Sequence, residues 1–449
     1  MRMESEEDAA VTDSPATPAT RPVSGRGHVR QILGRRDFDR LFCTRLASQC
    51  ADGIFQASLA GAVLFNPERA AHPTQVAAGL AVLLLPYSLV GPFAGVLLDR
   101  WSRQRILLLG NLIRCVLVVI VAVEIGGGVS GVPLYTTALV TISVNRFFLS
   151  GLSAALPHVI DRANLVTANA LSTTVGTGAT TLGGAAALLV RLAVGSGNHG
   201  YATIALSAAV GYGLSALAAH GFARDRLGPD ETERAGRESA RDVLAGLVAG
   251  ARHVHARRPA FYALVTMTVH RFCYGMTTIA GILLYRNYFH DDGIFRAGLA
   301  GLSQLIGLGA VGALLAAVIT PAATRRVGKP VWITGLLVLA GVVELALGAP
   351  YTKPALLACA LLLGIAAQGV KISVDTTVQE SIDDDFRGRV FSVYDTLFNV
   401  MYVLAAVAGV FGLPDTGKSY PMLVIVAIGY LVAAALFLLA TRRLRTAAT

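Results

Sequence analysis

Long apolar runs dominate this chain and follow one another about a dozen times with little polar sequence between them. Hydrophobic residues make up 54% of its 449 residues and charged residues only 15%, which is little charge for the surface of a soluble protein. A helix needs about 20 mostly apolar residues to cross a bilayer core, and these runs have that length. Backbone groups in lipid are satisfied only in helices or closed barrels, and barrels show short alternating segments instead. The sequence therefore predicts a polytopic, all-α membrane protein.

We predict twelve transmembrane helices in two pseudo-symmetric six-helix halves, residues 38–221 and 260–441, which a polar segment at 222–259 separates. A disordered cytoplasmic tail at 1–37 precedes them, because its acidic, Thr- and Pro-rich composition does not favour a packed core, and a second tail follows at 442–449. The predicted spans are 39–65, 75–98, 105–126, 132–156, 165–191, 200–221, 260–286, 297–320, 329–349, 354–379, 388–412 and 420–441.

The segment between the halves has two parts. The first is a polar linker, and the second places apolar residues on one face of a helix. That pattern predicts an amphipathic helix on the membrane surface, and a plain helical linker is the alternative. The residues of this face are Val243, Leu244, Leu247, Val248, Ala251 and Val254.

The basic residues set the expected orientation. With both termini in the cytoplasm, most of the 38 Lys and Arg residues fall in cytoplasmic segments, as cytoplasmic loops of membrane proteins require. This explains the net charge of +10 by topology, without a nucleic-acid partner. We expect a multi-pass protein of the cytoplasmic (inner) membrane. The external loops would hold only Arg69, Arg191, Arg286, Arg296, Lys353 and Lys418.

The loop between the second and third spans carries the most specific pattern. Residues 95–105 read Gly-Val-Leu-Leu-Asp-Arg-Trp-Ser-Arg-Gln-Arg, which resembles the G-x-L-x-D-R-x-G-R-R/K loop of the major facilitator superfamily. Ser102 replaces the usual glycine and Gln104 interrupts the basic pair. The second half keeps only a basic remnant at 325–329. The matching residues are Gly95, Leu97, Asp99, Arg100 and Arg103.

This resemblance implies a transporter that works by alternating access, with a gate at its cytoplasmic side. Asp99 would pair with a basic residue or with the positive end of a neighbouring helix. The facing candidates lie at the start of the eleventh span, Arg387, Gly388 and Arg389. The alternative is that these charges, with Arg100 and Arg103, only fix the topology.

Two short strings narrow the resemblance. Residues 387–391, Arg-Gly-Arg-Val-Phe, and residues 51–53, Ala-Asp-Gly, are similar to the branch that contains the enterobactin exporter and macrolide-efflux-like proteins. That branch implies export of a small molecule driven by an ion gradient, usually of protons. Glycines at 176–184 in the fifth span are better explained by close helix packing than by a functional signature.

Polar and ionisable residues inside spans are costly, so they are candidates for function. The resemblance implies that the first, fourth, seventh and tenth spans line a central cavity, and each contributes such residues. Asp52 is the preferred proton carrier, and a static bridge with Arg146 is the alternative. Lys371 and Asp375 are four residues apart and could simply neutralise each other. The full cavity set is Asp52, Asn145, Arg146, His270, Arg271, Lys371 and Asp375.

The sequence contains no phosphate-binding G-x-x-x-x-G-K-S/T loop, no metal-ligand cluster and no catalytic constellation. We therefore expect no cofactor, no bound metal and no enzymatic activity. The expectation is a monomeric secondary transporter that exports a small amphipathic or hydrophobic molecule, coupled to protons or another ion. The alternatives are an importer or lipid-type translocator on the same fold, and a membrane sensor that does not transport.

Overall fold

The computed structural model describes residues 34–64, 101–161, 164–223, 226–228, 240–383 and 386–446, together with residues 74, 77–79, 81–82 and 86. The described residues form twelve long α-helices. In chain order they are α1 Arg36–Leu64, α2 Arg103–Gly126, α3 Val132–Ala155, α4 Leu165–Val194, α5 Asn198–His220, α6 Ala240–Ala256, α7 Arg258–Leu283, α8 Gly298–Val327, α9 Lys329–Val343, α10 Lys353–Ser381, α11 Arg387–Gly412 and α12 Tyr420–Thr446.

Eleven of the helices coincide with predicted spans, and the twelfth, α6, is the helix predicted in the linker. Most of the remaining span, predicted at 75–98, lies outside the described residues, as do most of the N-terminal tail and residues 447–449. The last helix, α12, continues beyond the predicted span, to Thr446.

Nine helices in the described part of the chain are long and apolar enough to cross a membrane, judged by length and composition. The fold class predicted from the sequence is confirmed. Helices α1 and α7 are not among the nine, because polar residues such as Asp52 and Arg271 interrupt their apolar runs. These two helices are therefore the first place to look for function.

Helix ends follow from local sequence. Proline occupies the first turn of five of the described helices, where its missing N–H leaves no hydrogen bond unmade, at positions 133, 259, 330, 354 and 421. Gly195 and Gly328 end α4 and α8 with φ of 84° and 80°, a conformation that glycine adopts without a steric penalty. Two helices continue into π-helical turns, α7 at Leu284–Tyr288 and α9 at Glu344–Gly348.

The two halves repeat one packing order. In the first half α1 packs on α4 and α5, and α2 packs on α3 and α5. In the second half α7 packs in the same way on α11 and α12, and α9 packs on α10 and α12. Among the described residues, the extensive helix contacts all lie within one half or between the linker helix and the second half. This repetition is the internal symmetry predicted from the sequence.

Small residues let the helix backbones approach closely. A Cβ added at Gly183 of α4 would overlap the Cys50 carbonyl oxygen of α1, and one at Gly53 would overlap the Thr180 carbonyl oxygen. Gly176 and Gly183 therefore serve helix packing, as the sequence indicated, whereas Gly178 has no atom within 4 Å of an added Cβ. The same device joins α8 and α10, where Gly312 faces the Leu361 backbone and Gly364 faces the Gly309 backbone.

The linker helix α6 packs against the start of α11, a contact that the sequence did not predict. Gly246 and Gly250 lie against the Arg389 side chain and backbone, and Val254 is buried. Leu244 and Val248, on the predicted apolar face, remain about half exposed. Protein thus covers part of the apolar face of α6, and the rest of that face remains exposed.

Candidate functional site

The most deeply buried charge in the described residues is Arg114 of α2, whose side chain has no exposed surface. Its guanidinium donates to Asp52 Oδ1 of α1 at 3.0 Å and to Asn145 Oδ1 of α3 at 2.8 Å. The Tyr212 hydroxyl of α5 donates to the same Asp52 oxygen at 2.7 Å. A charge pair inside the first half therefore ties together α1, α2, α3 and α5.

Further contacts complete this site. Arg114 also donates to Ser48 Oγ at 2.8 Å and to Asn111 Oδ1, and it lies between two aromatic rings. Its Cζ is 4.3 Å from the Phe148 ring centre and 4.5 Å from that of Tyr212. Buried ion pairs are tolerated only when hydrogen bonds satisfy the remaining polar groups, and this pair meets that condition.

Asp52 and Asn145 of the predicted cavity set are both buried here. Asp52 pairs with Arg114, and not with Arg146 as in the alternative of a static bridge. Arg45 of α1 is also buried and donates to Gln49 and to Ser172 of α4. Tyr212, Asn111 and Ser48 could not be recognised as members of this site from the sequence pattern.

Arg146 lies close to charges of the second half. It is partly buried on α3 and lies within electrostatic range of Asp395 of α11, in the other half. Asp395 is also within range of Lys371 and Asp375 of α10. Charges of the two halves therefore meet at this place.

In the second half the predicted cavity residues gather around α11. Lys371 Nζ lies 2.6 Å from Asp375 Oδ2, the i, i+4 pair that the spacing predicted. Arg271 Cζ lies 3.9 Å from the Phe398 ring centre and 4.3 Å from that of Tyr402. Lys371 Nζ is 5.9 Å from the Phe398 ring centre. Phe398 thus forms an aromatic platform shared by two cations.

His270 does not join this group. It is buried in the second half, with its ring centre 5.6 Å from that of Tyr430 of α12 and 6.1 Å from that of Tyr274. Its position beside Arg271 in the sequence placed it in the cavity set, but the helical rotation between successive residues turns it towards α12.

The predicted gate is only partly within the described residues. Gly95, Asp99 and Arg100 lie outside them, and so does the side chain of Arg387. Arg103, at the start of α2, is buried and hydrogen-bonds the Leu227 carbonyl and His158. At the other proposed side of the gate, Gly388 is exposed at the start of α11, and Arg389 lies under α6 with its Cζ 5.7 Å from the Phe386 ring centre.

Comparison with known proteins decides the family. The model of the Major Facilitator Superfamily matches residues 41–406. The chain belongs to the Major Facilitator Superfamily. Two MFS-type transporters, from Mycobacterium tuberculosis and Mycobacterium bovis, are each 40% identical to it over 391 residues, covering 87% of this chain and 88% of theirs. The protein is thus a multi-pass membrane protein of a transporter family.

Solved structures of this superfamily share the fold. A variant of a POT-family peptide transporter aligns with a TM-score of 0.68 at 12% identity, covering 94% of this chain and 99% of that chain. A variant of the nucleoside transporter NupG aligns with a TM-score of 0.66 at 15% identity, covering 90% and 99%. At these identities the likeness describes the fold and not the substrate.

Proposed function

We propose that this protein is a proton-coupled secondary transporter of the cytoplasmic membrane that exports a small amphipathic or hydrophobic molecule by alternating access. The observation that carries the proposal is the Asp52–Arg114 pair, a titratable carboxylate bound to a fully buried cation. In this proposal Asp52 accepts and releases the transported proton.

The protonation of Asp52 and the packing of the helices around it cannot change independently. A proton on Asp52 would leave the Arg114 guanidinium buried without a counter-charge, and an uncompensated buried charge costs roughly 3–5 kcal/mol. Arg114 must then find another partner or water, which requires α1 and α2 to shift relative to each other. A proton that moves helices is the element that coupled transport requires, because only differential binding shifts a conformational equilibrium.

The charges between the halves supply the second element. Arg146 of α3 and Asp395 of α11 attract each other across the two halves. In transporters built from two repeats, one half rocks against the other around a central site. We propose that this attraction differs between the inward-open and outward-open states. The aromatic platform at Phe398 and the cavity residues Arg271, Lys371 and Asp375 suit an amphipathic ligand with a polar group.

Export rather than import is proposed from the resemblance of residues 51–53 and 387–391 to efflux proteins. The resemblance of residues 95–105 to the loop of the major facilitator superfamily supports a cytoplasmic gate formed by Asp99 and the start of α11. The orientation with both termini in the cytoplasm is proposed from the distribution of Lys and Arg. In that orientation α6 lies on the cytoplasmic side, over the start of α11.

The decisive experiment uses purified protein in proteoliposomes with a pH-sensitive dye inside and a panel of amphipathic drugs and siderophores outside. We expect proton movement that depends on substrate, in wild-type protein and in the control Asp292→Asn, which changes an exposed loop carboxylate. Asp52→Asn should bind substrate without moving protons. If folded Asp52→Asn protein still accumulates substrate against its gradient when a pH gradient is imposed, Asp52 is not the proton carrier.

A separate variant tests the gate. Asp99→Asn removes the charge but keeps the size of the side chain, so a topological role should leave transport unchanged at normal abundance. A gate role predicts a large loss of transport with unchanged abundance in the membrane.

A further inference from the structure

A second cavity lies inside the C-terminal half, away from the Asp52–Arg114 pair. It has a volume of about 380 Å³, and α7, α8 and α10 form its main walls. Glu344 and Gly348 of the π-helical turn after α9, together with the start of α12, complete the lining. Apolar side chains make up most of this lining, including Met276, Leu302, Leu363 and Met422. We call it the Glu344 cavity after its one acidic lining residue.

Glu344 is the feature that apolar packing does not explain. The residue is 6% exposed, and its Oε1 accepts a hydrogen bond from Thr277 Oγ1 at 3.0 Å. Its Oε2 is buried and has no hydrogen-bond partner among the described residues. No Lys or Arg side chain in the described part of the chain forms an ion pair with it. A buried carboxylate in this position is costly unless a cation or a proton joins it.

The backbone at this residue is also unusual. Glu344 begins the π-helical turn Glu344–Gly348, directly after α9 ends at Val343. Such turns are uncommon in helices and concentrate at functional sites, because they redirect a side chain out of the regular helical register. The turn, the carboxylate and the cavity therefore coincide at one place.

The lining selects the chemistry of a ligand. A lipophilic anion would be repelled by Glu344, and a sugar or nucleotide would need more hydrogen-bond donors than the hydroxyls of this lining supply. A ligand with an apolar body fits the walls, and a single positive charge on it would neutralise the carboxylate. Tyr274 and Tyr351 also line the cavity, but their ring centres already lie 5.9 Å from Arg271 Cζ and 5.4 Å from Lys418 Nζ, so the attraction for a cation comes from Glu344.

We propose that the Glu344 cavity is a binding site for a lipophilic monocation, which places its charge at Glu344 and its apolar part between α7, α8 and α10. This site is distinct from the central charges at Asp52, Arg146 and Lys371. Binding there requires no ion gradient, so it can be measured whether or not the transport proposal holds.

The first half offers a matched control. Glu124 lies near the end of α2, and its Oε1 also accepts a hydrogen bond from a threonine, Thr137, at 3.0 Å. It does not line the Glu344 cavity. A Glu→Gln change at each position therefore alters the same kind of hydrogen bond, but only one of them alters the cavity.

The test measures binding of tetraphenylphosphonium, a permanent lipophilic cation, to purified protein by equilibrium dialysis. Tetraphenylborate, which has the same shape and the opposite charge, is measured in a separate titration. We expect saturable phosphonium binding to wild type and to Glu124→Gln, about tenfold or more weaker binding to Glu344→Gln, and no saturable borate binding.

A second variant tests the role of the cavity independently of any loss of stability in Glu344→Gln. Ala310 lies exposed on α8 at the wall of the cavity, so Ala310→Phe should fill space there without disturbing the core. It should also weaken phosphonium binding about tenfold. Equal phosphonium binding by wild type, Glu344→Gln and Ala310→Phe would overturn the proposal, as would equal binding of the cation and the anion or no saturable binding to wild type.

Discussion

The fully buried guanidinium of Arg114 lies 3.0 Å from the Asp52 carboxylate, so that α1 and α2 share one charge pair inside the first half. Because neither side chain has appreciable exposure, water cannot replace the partner of either charge. A change of one proton, or of one residue, in this pair must therefore alter the packing of several helices.

A double-mutant cycle measures this relationship. Asp52→Asn and Arg114→Met should each destabilise the protein by about 3–5 kcal/mol, because each leaves one buried charge without its counterpart. The double variant should be less destabilised than the two single effects combined, because both charges are gone. Thermal unfolding in detergent, followed with a thiol-reactive dye that reports exposure of buried Cys273 and Cys359, gives the three values. Additive effects would contradict a direct coupling.

The close approach of α1 and α4 makes a second prediction. Gly183→Ala places a Cβ against the Cys50 carbonyl oxygen, so the helices must separate, and we expect a loss of roughly 1–3 kcal/mol in stability. Gly178→Ala is the control on the same helix, because no atom lies within 4 Å of its added Cβ. That change should be neutral or stabilise by roughly 0.4–1 kcal/mol. Similar melting temperatures for the two variants would contradict this account of the packing.

These two features show how far the sequence could lead. Glycine spacing in the fifth predicted span indicated close helix packing because the pattern is local to one helix. Asp52 and Arg146 were visible as polar residues in apolar runs, and a static bridge between them was the alternative to a proton carrier. Choosing the partner of Asp52 needed the rotation of each helix about its axis, which periodicity in a single helix does not define. Arg114 became the partner because α2 turns it towards α1, whereas α3 turns Arg146 towards α11.

Glu344 and the linker helix make the same point. Glu344 was recognisable as an isolated charge, but its cavity forms between helices that are far apart in sequence. Helix α6 was predicted from its apolar face, but its docking on α11 depends on Gly246 and Gly250, which leave room for the side chain and backbone of Arg389. Contacts between distant segments are set by tertiary packing, and a single sequence carries them only indirectly.

An ion pair just beyond the end of α6 gives a pH prediction. Arg257 Nη2 lies 2.7 Å from Asp383 Oδ2, just beyond the end of α10, and His253 Nε2 lies 3.6 Å from the same oxygen. The hydrogen bond from Arg257 lowers the pKa of Asp383 below its ordinary value. A carboxyl with a lowered pKa stabilises the folded state above its ordinary pKa, and that stabilisation is lost as the pH falls through the lowered value.

We therefore expect the contact to be constant from pH 8 to pH 5 with respect to Asp383, and to weaken only below about pH 3.9, the ordinary aspartate pKa. Asp383→Asn should increase hydrogen exchange of residues 240–256 at neutral pH. Its difference from wild type should vanish in strong acid. The effect should be small and salt-sensitive, because the Asp383 side chain is 55% exposed. Glu380→Gln, one turn earlier on α10, is the control, because its partner is Lys329 and not α6.

The aromatic platform of α11 gives the last prediction. Phe398 faces both Arg271 and Lys371, at 3.9 and 5.9 Å from its ring centre, and Arg271 Nε also donates to the Phe398 carbonyl oxygen at 3.3 Å. Phe398→Ala removes the ring contacts but keeps the backbone acceptor, and one cation–π contact contributes about 0.5–2 kcal/mol. If this platform orders the cavity for an amphipathic substrate, the variant should weaken the apparent substrate affinity by about threefold to thirtyfold. Phe398→Tyr should retain most of the affinity because the ring remains. Phe411→Ala on the same helix is the matched control, since that ring is 87% exposed and contacts neither cation. A drop in affinity of equal size in Phe411→Ala, or none in Phe398→Ala, would place substrate binding away from this platform.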